Sequence, residues 1–371
     1  MRLESARDLK LQLLNDIIEP LVTRIARVRT SGAKALAVSL GVPGVEDASS
    51  LLCVGARPLG TIAAVQRSLA LGVAPHGKQY RLAIRLQRVA LRNSSIVDHL
   101  RTQAKGEVDI RLVGRIDKRT ASLRSRRRPR AMGRGVTEWY RGNTRPLLIG
   151  ASVGHVDVTA GTIGAFVDRG GTTCLLSNNH VLADEGRGST GDAILQRARF
   201  DGGKLRTEEV ARLLRWVPLK RREANVVDAA IAAIKSGEAY DPRLLREVSN
   251  GRNRMLKGLG PELVDEGASV LKIGRTTGAT KGRVTAFSLD NVVVSYGVGN
   301  LRFDDQIEIE GTGTAPFSDG GDSGSLIVSS RMEAVALLFA GSDTGGRNGA
   351  GLTYANPIHR VLNDLKSTLL S

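Results

Sequence analysis

Apolar positions recur along this chain with two different periods. Near the start, Leu9, Leu11, Leu13, Leu14, Ile17, Ile18, Leu21, Val22 and Ile25, broken by Lys10, Asp16, Glu19 and Arg24, follow the spacing of an amphipathic helix. Pro20 marks a kink or boundary in it. Further on, KALAVSL at 34–40 and YRLAIRLQRV at 80–89 alternate as strands do; SSIVDHLRTQA at 94–104 reads as a short capped helix, and VDIRLVGRI at 108–116 as another strand. Strand, helix and strand in that order predict a small α/β domain with a leading helix over residues 1–118. Beyond residue 146 strand-like runs dominate: 162–167 and 172–176 as a hairpin, then 210–219, 270–273, 282–287, 291–296, 306–310 and 336–341. A short helix is expected at 244–248, and a C-terminal one within 356–370.

Between these parts, residues 119–145 have the composition of a linker, with Arg124-Ser125-Arg126-Arg127-Arg128-Pro129-Arg130 followed by Gly133, Arg134, Gly135 and Gly142. Charge divides at the same place, because the whole formal excess of +17 lies in residues 1–145 and the remainder is neutral. A basic segment of this kind attracts nucleic acid, an acidic membrane surface or an acidic regulatory protein. The plainer reading is a solvated linker, and only Trp139 and Tyr140 follow the run, so base stacking has little support. Exposed arginines also suit a processing site. The N-terminal run lacks the unbroken apolar stretch of a signal peptide, and no window has the length of a membrane span. The only cysteines, Cys53 and Cys174, sit in apolar company, which points to buried packing in a reduced compartment, so a cytoplasmic location is expected.

Chemistry concentrates in three stretches. Asp319-Gly320-Gly321-Asp322-Ser323-Gly324-Ser325 places a serine in a glycine-rich turn between strand-like runs, where backbone N–H groups can approach an oxyanion closely. By itself it is also consistent with an ordinary polar hairpin turn. Thr172-Thr173-Cys174-Leu175-Leu176-Ser177-Asn178-Asn179-His180 runs an apolar strand into a polar bend carrying a histidine. In Asn225-Val226-Val227-Asp228-Ala229-Ala230 one carboxylate stands in an apolar run, where burial without a partner would be costly. His180, Asp228 and Ser323 follow one another in the chain order of the chymotrypsin type of triad.

With these stretches and Thr159-Ala160-Gly161-Thr162-Ile163-Gly164, residues 150–365 resemble a trypsin-like (chymotrypsin-fold) serine peptidase of the bacterial, disulfide-free kind. The resemblance implies a mainly β fold for residues 146–371, two six-stranded barrels with the site in the cleft between them. It implies a polypeptide substrate, catalysis by Ser323, His180 and Asp228, an oxyanion hole from the N–H groups of Gly321 and Ser323, and no metal or organic cofactor. Trypsin carries the acid of its primary pocket six residues before the serine, and the same count here reaches Phe317, although Asp319 is near and an insertion would restore the acid. With Phe339, Ala340 and Gly341 at the pocket entrance, small or apolar side chains are expected before the cut. No obvious cleavage point followed by an Ile-Val pair lies ahead of Thr159, so the site is expected to be preformed or ordered by a partner. A regulated intracellular endopeptidase is the leading reading, with a catalytically inactive protease-fold scaffold or a basic nucleic-acid-binding protein as alternatives.

Overall fold

Residues alternating between apolar and polar turn one face of an extended chain inward, and where several such runs hydrogen-bond in sequence they curl around a common core. The computed structural model describes residues 1–18, 53–54, 57–58, 68–119, 138–262 and 267–371. The strand expected at 34–40 and the arginine run at 124–130 lie outside the described residues, as does the leading helical run beyond Ile18. Helix α1 (Leu3–Leu13) buries Ala6 and Leu13. Strands β1 (Leu69–His76) and β2 (Gln79–Leu86) form an antiparallel hairpin. Helix α2 (Ser95–Gln103) packs Ile96, Val97 and Leu100 inward, and β3 (Val108–Leu112) returns parallel to β2. A short strand, β4 (Ile116–Lys118), follows.

The first barrel comprises β5 (Ser152–His155), β6 (Gly161–Thr162), β7 (Ala165–Arg169), β8 (Thr172–Ser177), β9 (Ala193–Leu195), β10 (Glu209–Trp216) and β11 (Ala230–Ile234). Neighbours run β6-β5-β9-β10-β11-β8-β7, and β6 and β7 are two halves of one bent stretch, 161–169, that brings the series round on itself. A short helix, α3 (Asn179–Leu182), follows β8. Val153, Phe166, Leu175, Ile194, Leu213 and Ile231 fill the interior.

The second barrel is a closed ring. Its strands are β12 (Ser269–Gly274), β13 (Gly278–Asp290), β16 (Gln306–Gly311), β17 (Leu326–Ser329), β18 (Ala334–Ser342) and β19 (Thr353–Pro357), with the hairpin β14 (Val292–Tyr296) and β15 (Gly299–Phe303) inserted after β13. Each ring strand bonds two neighbours in the order β12-β13-β16-β19-β18-β17 and back to β12. The two barrels wind alike. Helix α4 (Ile358–Leu365) packs Ile358, Val361, Leu362 and Leu365 against the first barrel's core, and β20 (Thr368–Leu369) adds to the edge of β7.

The N-terminal elements share a sheet with the second barrel. β13 runs past the ring and pairs with β1, Phe287 opposite Val73 and Asp290 opposite Leu71. β4 lies between β18, to which it is antiparallel, and β14, to which it is parallel. Buried ion pairs reinforce the join: Arg85 reaches Glu308 at 2.8 Å and Lys10 reaches Asp290 at 2.7 Å. Within the expected linker, Trp139–Arg141 makes a 3₁₀ turn whose indole packs into the first barrel's core beneath the Arg246 guanidinium. One expectation is corrected: 244–248 is not helical but forms the strand Leu244–Ser249, paired with Arg252–Met255. Five residues are too few to recover the cost of nucleating a helix, whereas a partner strand across a tight turn supplies hydrogen bonds at once.

Candidate active site

The histidine and the aspartate meet at the end of the first barrel. His180 lies on α3 just after β8, and Asp228 precedes β11, which is the hydrogen-bonded neighbour of β8. Both side chains are fully buried, with Nδ1 of His180 2.5 Å from Oδ2 of Asp228. The second carboxylate oxygen accepts the backbone N–H of His180 at 3.2 Å. Tyr296, at the end of β14, donates its hydroxyl to Oδ2 at 2.5 Å. The backbone of Asp228 is held as well, its N–H donating to Asn356 and its carbonyl accepting from Asn178. Burial pushes the Asp228 carboxyl up, but the His180 ring, the Tyr296 hydroxyl and the His180 N–H outweigh it and hold the group below the ordinary carboxylate range. Burial and the neighbouring carboxylate push the Tyr296 phenol well up, which keeps it a donor. An ionised carboxylate only accepts hydrogen bonds, so Nδ1 carries a proton, and in the neutral ring Nε2 is the atom with the lone pair. That Nε2 is buried and has no hydrogen-bond partner among the described residues.

Ser323 sits in the loop between β16 and β17. Gly321 and Gly324 flank it at φ 104° and 90°, in the region that side chains avoid. A Cβ on Gly324 would also strike the Ser177 hydroxyl and the Thr162 carbonyl. Asp322 holds the loop from below. Its carboxylate accepts N–H groups of Thr276 at 2.8 Å and Asp319 at 3.0 Å and the Thr277 hydroxyl at 2.7 Å, and it lies 3.2 Å from the ammonium of Lys272. Lys272 and Asp322 are both wholly buried. Burial pushes Asp322 up, yet Lys272, Thr277 and the backbone donors prevail and hold it low. A cation from the body of β12 thus braces the serine loop.

Removing the ammonium strands the carboxylate. Lys272→Met is expected to cost about 3–5 kcal/mol of stability, as for other broken buried pairs, read from urea unfolding; a loss under 1 kcal/mol would mean the pair does not brace the loop. Acid should act through the same groups. Asp228, Asp322, Asp109, Glu185 and Glu310 are all held below their ordinary values, so their contribution is complete above about pH 5 and is lost as pH falls through the depressed folded values. Burial moves Asp290 and Asp319 the other way, but they are outnumbered. Urea midpoints should therefore hold between pH ~7 and ~5 and drop below pH ~4.

The Ser323 hydroxyl donates to the Phe339 carbonyl at 3.3 Å, and it makes no hydrogen bond to His180 among the described residues. The backbone N–H groups of Gly321 and Ser323, expected as oxyanion donors, converge on one atom, the carbonyl oxygen of Arg119, at 2.5 and 3.3 Å. Of the residues expected at the pocket, Phe339, Ala340 and Gly341 lie on β18 beside Lys118 and Arg119. A Cβ on Gly341 would collide with the Arg119 guanidinium, so only glycine leaves that space open. Phe317 lies instead in the second barrel's core with Ile309 and Ile327. Tyr296, Asn356 and Lys272 carry no recognisable sequence motif and were not anticipated. Cys174 is buried, and burial pushes its thiol up to about 11, so it packs rather than reacts.

Two barrels of like winding, with this loop at their junction, make up the trypsin-like double β-barrel fold, and the chain resembles bacterial serine peptidases of that fold. Among solved structures it is similar to protease A of Thermobifida fusca, at 21% identity over 61% of this chain and 98% of that one, with a TM-score of 0.43. Nocardiopsis protease gives 19% identity over 61% and 99% of the two chains with a TM-score of 0.44. The HtrA-type protease AlgW, solved with a tripeptide, gives 18% over 62% and 63% with a TM-score of 0.34. No protein-family model and no curated protein matches the chain.

Proposed function

We propose that this chain is a serine endopeptidase acting through Ser323, His180 and Asp228, in a reduced intracellular compartment. The observation that supports this most is the convergence of the Gly321 and Ser323 N–H groups on a single carbonyl oxygen at the serine loop. In this mechanism Ser323 Oγ turns from the Phe339 carbonyl to His180 Nε2 and attacks the substrate carbonyl carbon. Nε2 takes the proton and delivers it to the leaving amine, while the buried Asp228 carboxylate stabilises the imidazolium. Gly321 and Ser323 N–H groups hold the negative oxygen as the tetrahedral intermediate forms. A new N-terminus has no role, because Lys272 already neutralises Asp322 from within the barrel.

One observation favours an inactive scaffold: the hydroxyl of Ser323 rests on a carbonyl rather than on the histidine. Intact-mass analysis after fluorophosphonate treatment separates the two readings. The endopeptidase is expected to gain one adduct, absent from Ser323→Ala, whereas an inactive scaffold gains none in either form.

A further inference from the structure

Residues 116–119 run along a strand edge up to the serine loop. β4 lies antiparallel on β18, Ile116 opposite Ser342, Asp117 opposite Gly341 and Lys118 opposite Ala340. The Arg119 N–H donates to the Phe339 carbonyl at 3.1 Å, and the carbonyl oxygen of the same residue enters the pair of N–H groups at the serine. β14 covers the other edge of the segment, with Val294 opposite Ile116 and Ser295 opposite Asp117. The side chains are bound as well. Lys118 pairs with the buried Glu185, whose carboxylate is fixed by N–H groups of Gly297 and Val298 at 3.0 Å. The Arg119 guanidinium lies over Gly341, donating to Asp343 at 2.6 Å and to the Ser342 carbonyl at 2.5 Å, and the partly buried Asp319 feels its charge. Arg119 is almost entirely buried.

Only the carbonyl of the residue before a scissile bond needs to be polarised by those two donors. The geometry points to the peptide bond between Arg119 and Thr120 as a substrate of the same chain's Ser323, and to arginine as the residue accepted before the cut. This rests on the reading of the site as a serine endopeptidase. Ser323 Oγ bonds to the Arg119 carbonyl carbon and gives its proton to His180 Nε2. The carbon–nitrogen bond breaks, and that proton passes to the Thr120 amine. Water then attacks the Arg119–Ser323 ester, one of its protons going to His180 and on to Ser323 Oγ, and Arg119 leaves as a free carboxylate. Because the segment is already seated, the step is unimolecular and gains the rate advantage of enforced proximity. The expectation of a small or apolar residue before the cut came from the count to Phe317; here the acid on the arginine is Asp343, which that count does not reach.

After cleavage the fragments 1–119 and 120–371 would remain joined by β1 on β13 and by β4 on β18, so the cut is visible only on denaturation. The experiment follows the full-length chain by denaturing intact-mass analysis beside Ser323→Ala, Arg119→Gln and Asp343→Asn. The expected result is a fragment beginning at Thr120 from the native sequence, with first-order kinetics that do not change on dilution. Ser323→Ala should stay intact, even when mixed with the active chain, and Arg119→Gln should be cut at least about 100-fold more slowly, since the buried Ser342 carbonyl and the Asp343 carboxylate then lose their charged donor. Asp343→Asn should slow the cut less. Fluorophosphonate treatment of each sample separates the two failures. An adduct on Ser323 of Arg119→Gln, with the native chain uncut or cut at another bond, overturns the self-cleavage and leaves the endopeptidase standing. Cleavage of Ser323→Ala after Arg119 by the active chain overturns the same-chain step. No cut and no adduct in any sample overturns both.

Discussion

Ser323→Ala is expected to lower kcat on an external peptide by about 10⁶-fold, close to the whole of what a triad contributes. The size follows from the loss of the only atom that can form the ester. His180 and Asp228 then have no proton to move, and the N–H pair of Gly321 and Ser323 can still polarise a carbonyl only for attack by water. The backbone of Ser323 is independent of its hydroxyl: its carbonyl accepts the Thr162 N–H at 2.8 Å, and its own N–H donates to the Arg119 carbonyl at 3.3 Å. The variant should therefore keep its urea midpoint while losing turnover. Comparing kcat and KM on the purified pair checks this. A variant that keeps more than about 1% of kcat would place the nucleophile elsewhere.

Asp228→Asn is the second large effect, with kcat expected to fall about 10⁴-fold at neutral pH. The carboxylate accepts from His180 Nδ1, from the His180 backbone and from Tyr296 at once. An amide in its place offers one accepting oxygen and a nitrogen that must donate. If that nitrogen faces the ring, it favours the tautomer with the proton on Nε2, the atom that must take the proton from Ser323. The imidazolium formed during reaction also loses its only buried counter-charge among the described residues. KM should change little, because Asp228 lies behind the histidine and does not touch Arg119. Equal kcat in variant and parent would show that this contact orients nothing.

Much of the fold was legible in order. Strand-like alternation at 80–89, 172–176, 270–273, 306–310 and 336–341 coincides with strands, and the tail forms its helix at Ile358–Leu365. The stretch 244–248 misled because Leu245 and Val248 are buried three apart, as on a helix face, when a register shift in a hairpin produces that spacing. Asp228 was legible as an isolated charge in an apolar run, and His180 through the polar bend after its strand. Tyr296 was not, because a tyrosine at a strand end reads as core. Nor was Lys272 or Asn356: each owes its position to a partner far away in sequence, Asp322 and Asp228.

The sequence by itself determined most of the runs that become strands, which residues are candidates for nucleophilic chemistry, and that the positive charge stands apart in residues 1–145. Those properties are local: a period of two, a glycine beside a serine and a charge among apolar neighbours act over a few residues. Only the tertiary structure decided that β1 and β4 join the second barrel's sheet, that Lys272 braces Asp322, and that the Arg119 carbonyl accepts from the Gly321 and Ser323 N–H groups of a loop far away in sequence. Strand edges accept any extended backbone. The choice of partner therefore belongs to the packing of the whole chain, which must bury these edges and charges together, and no window of the sequence contains it.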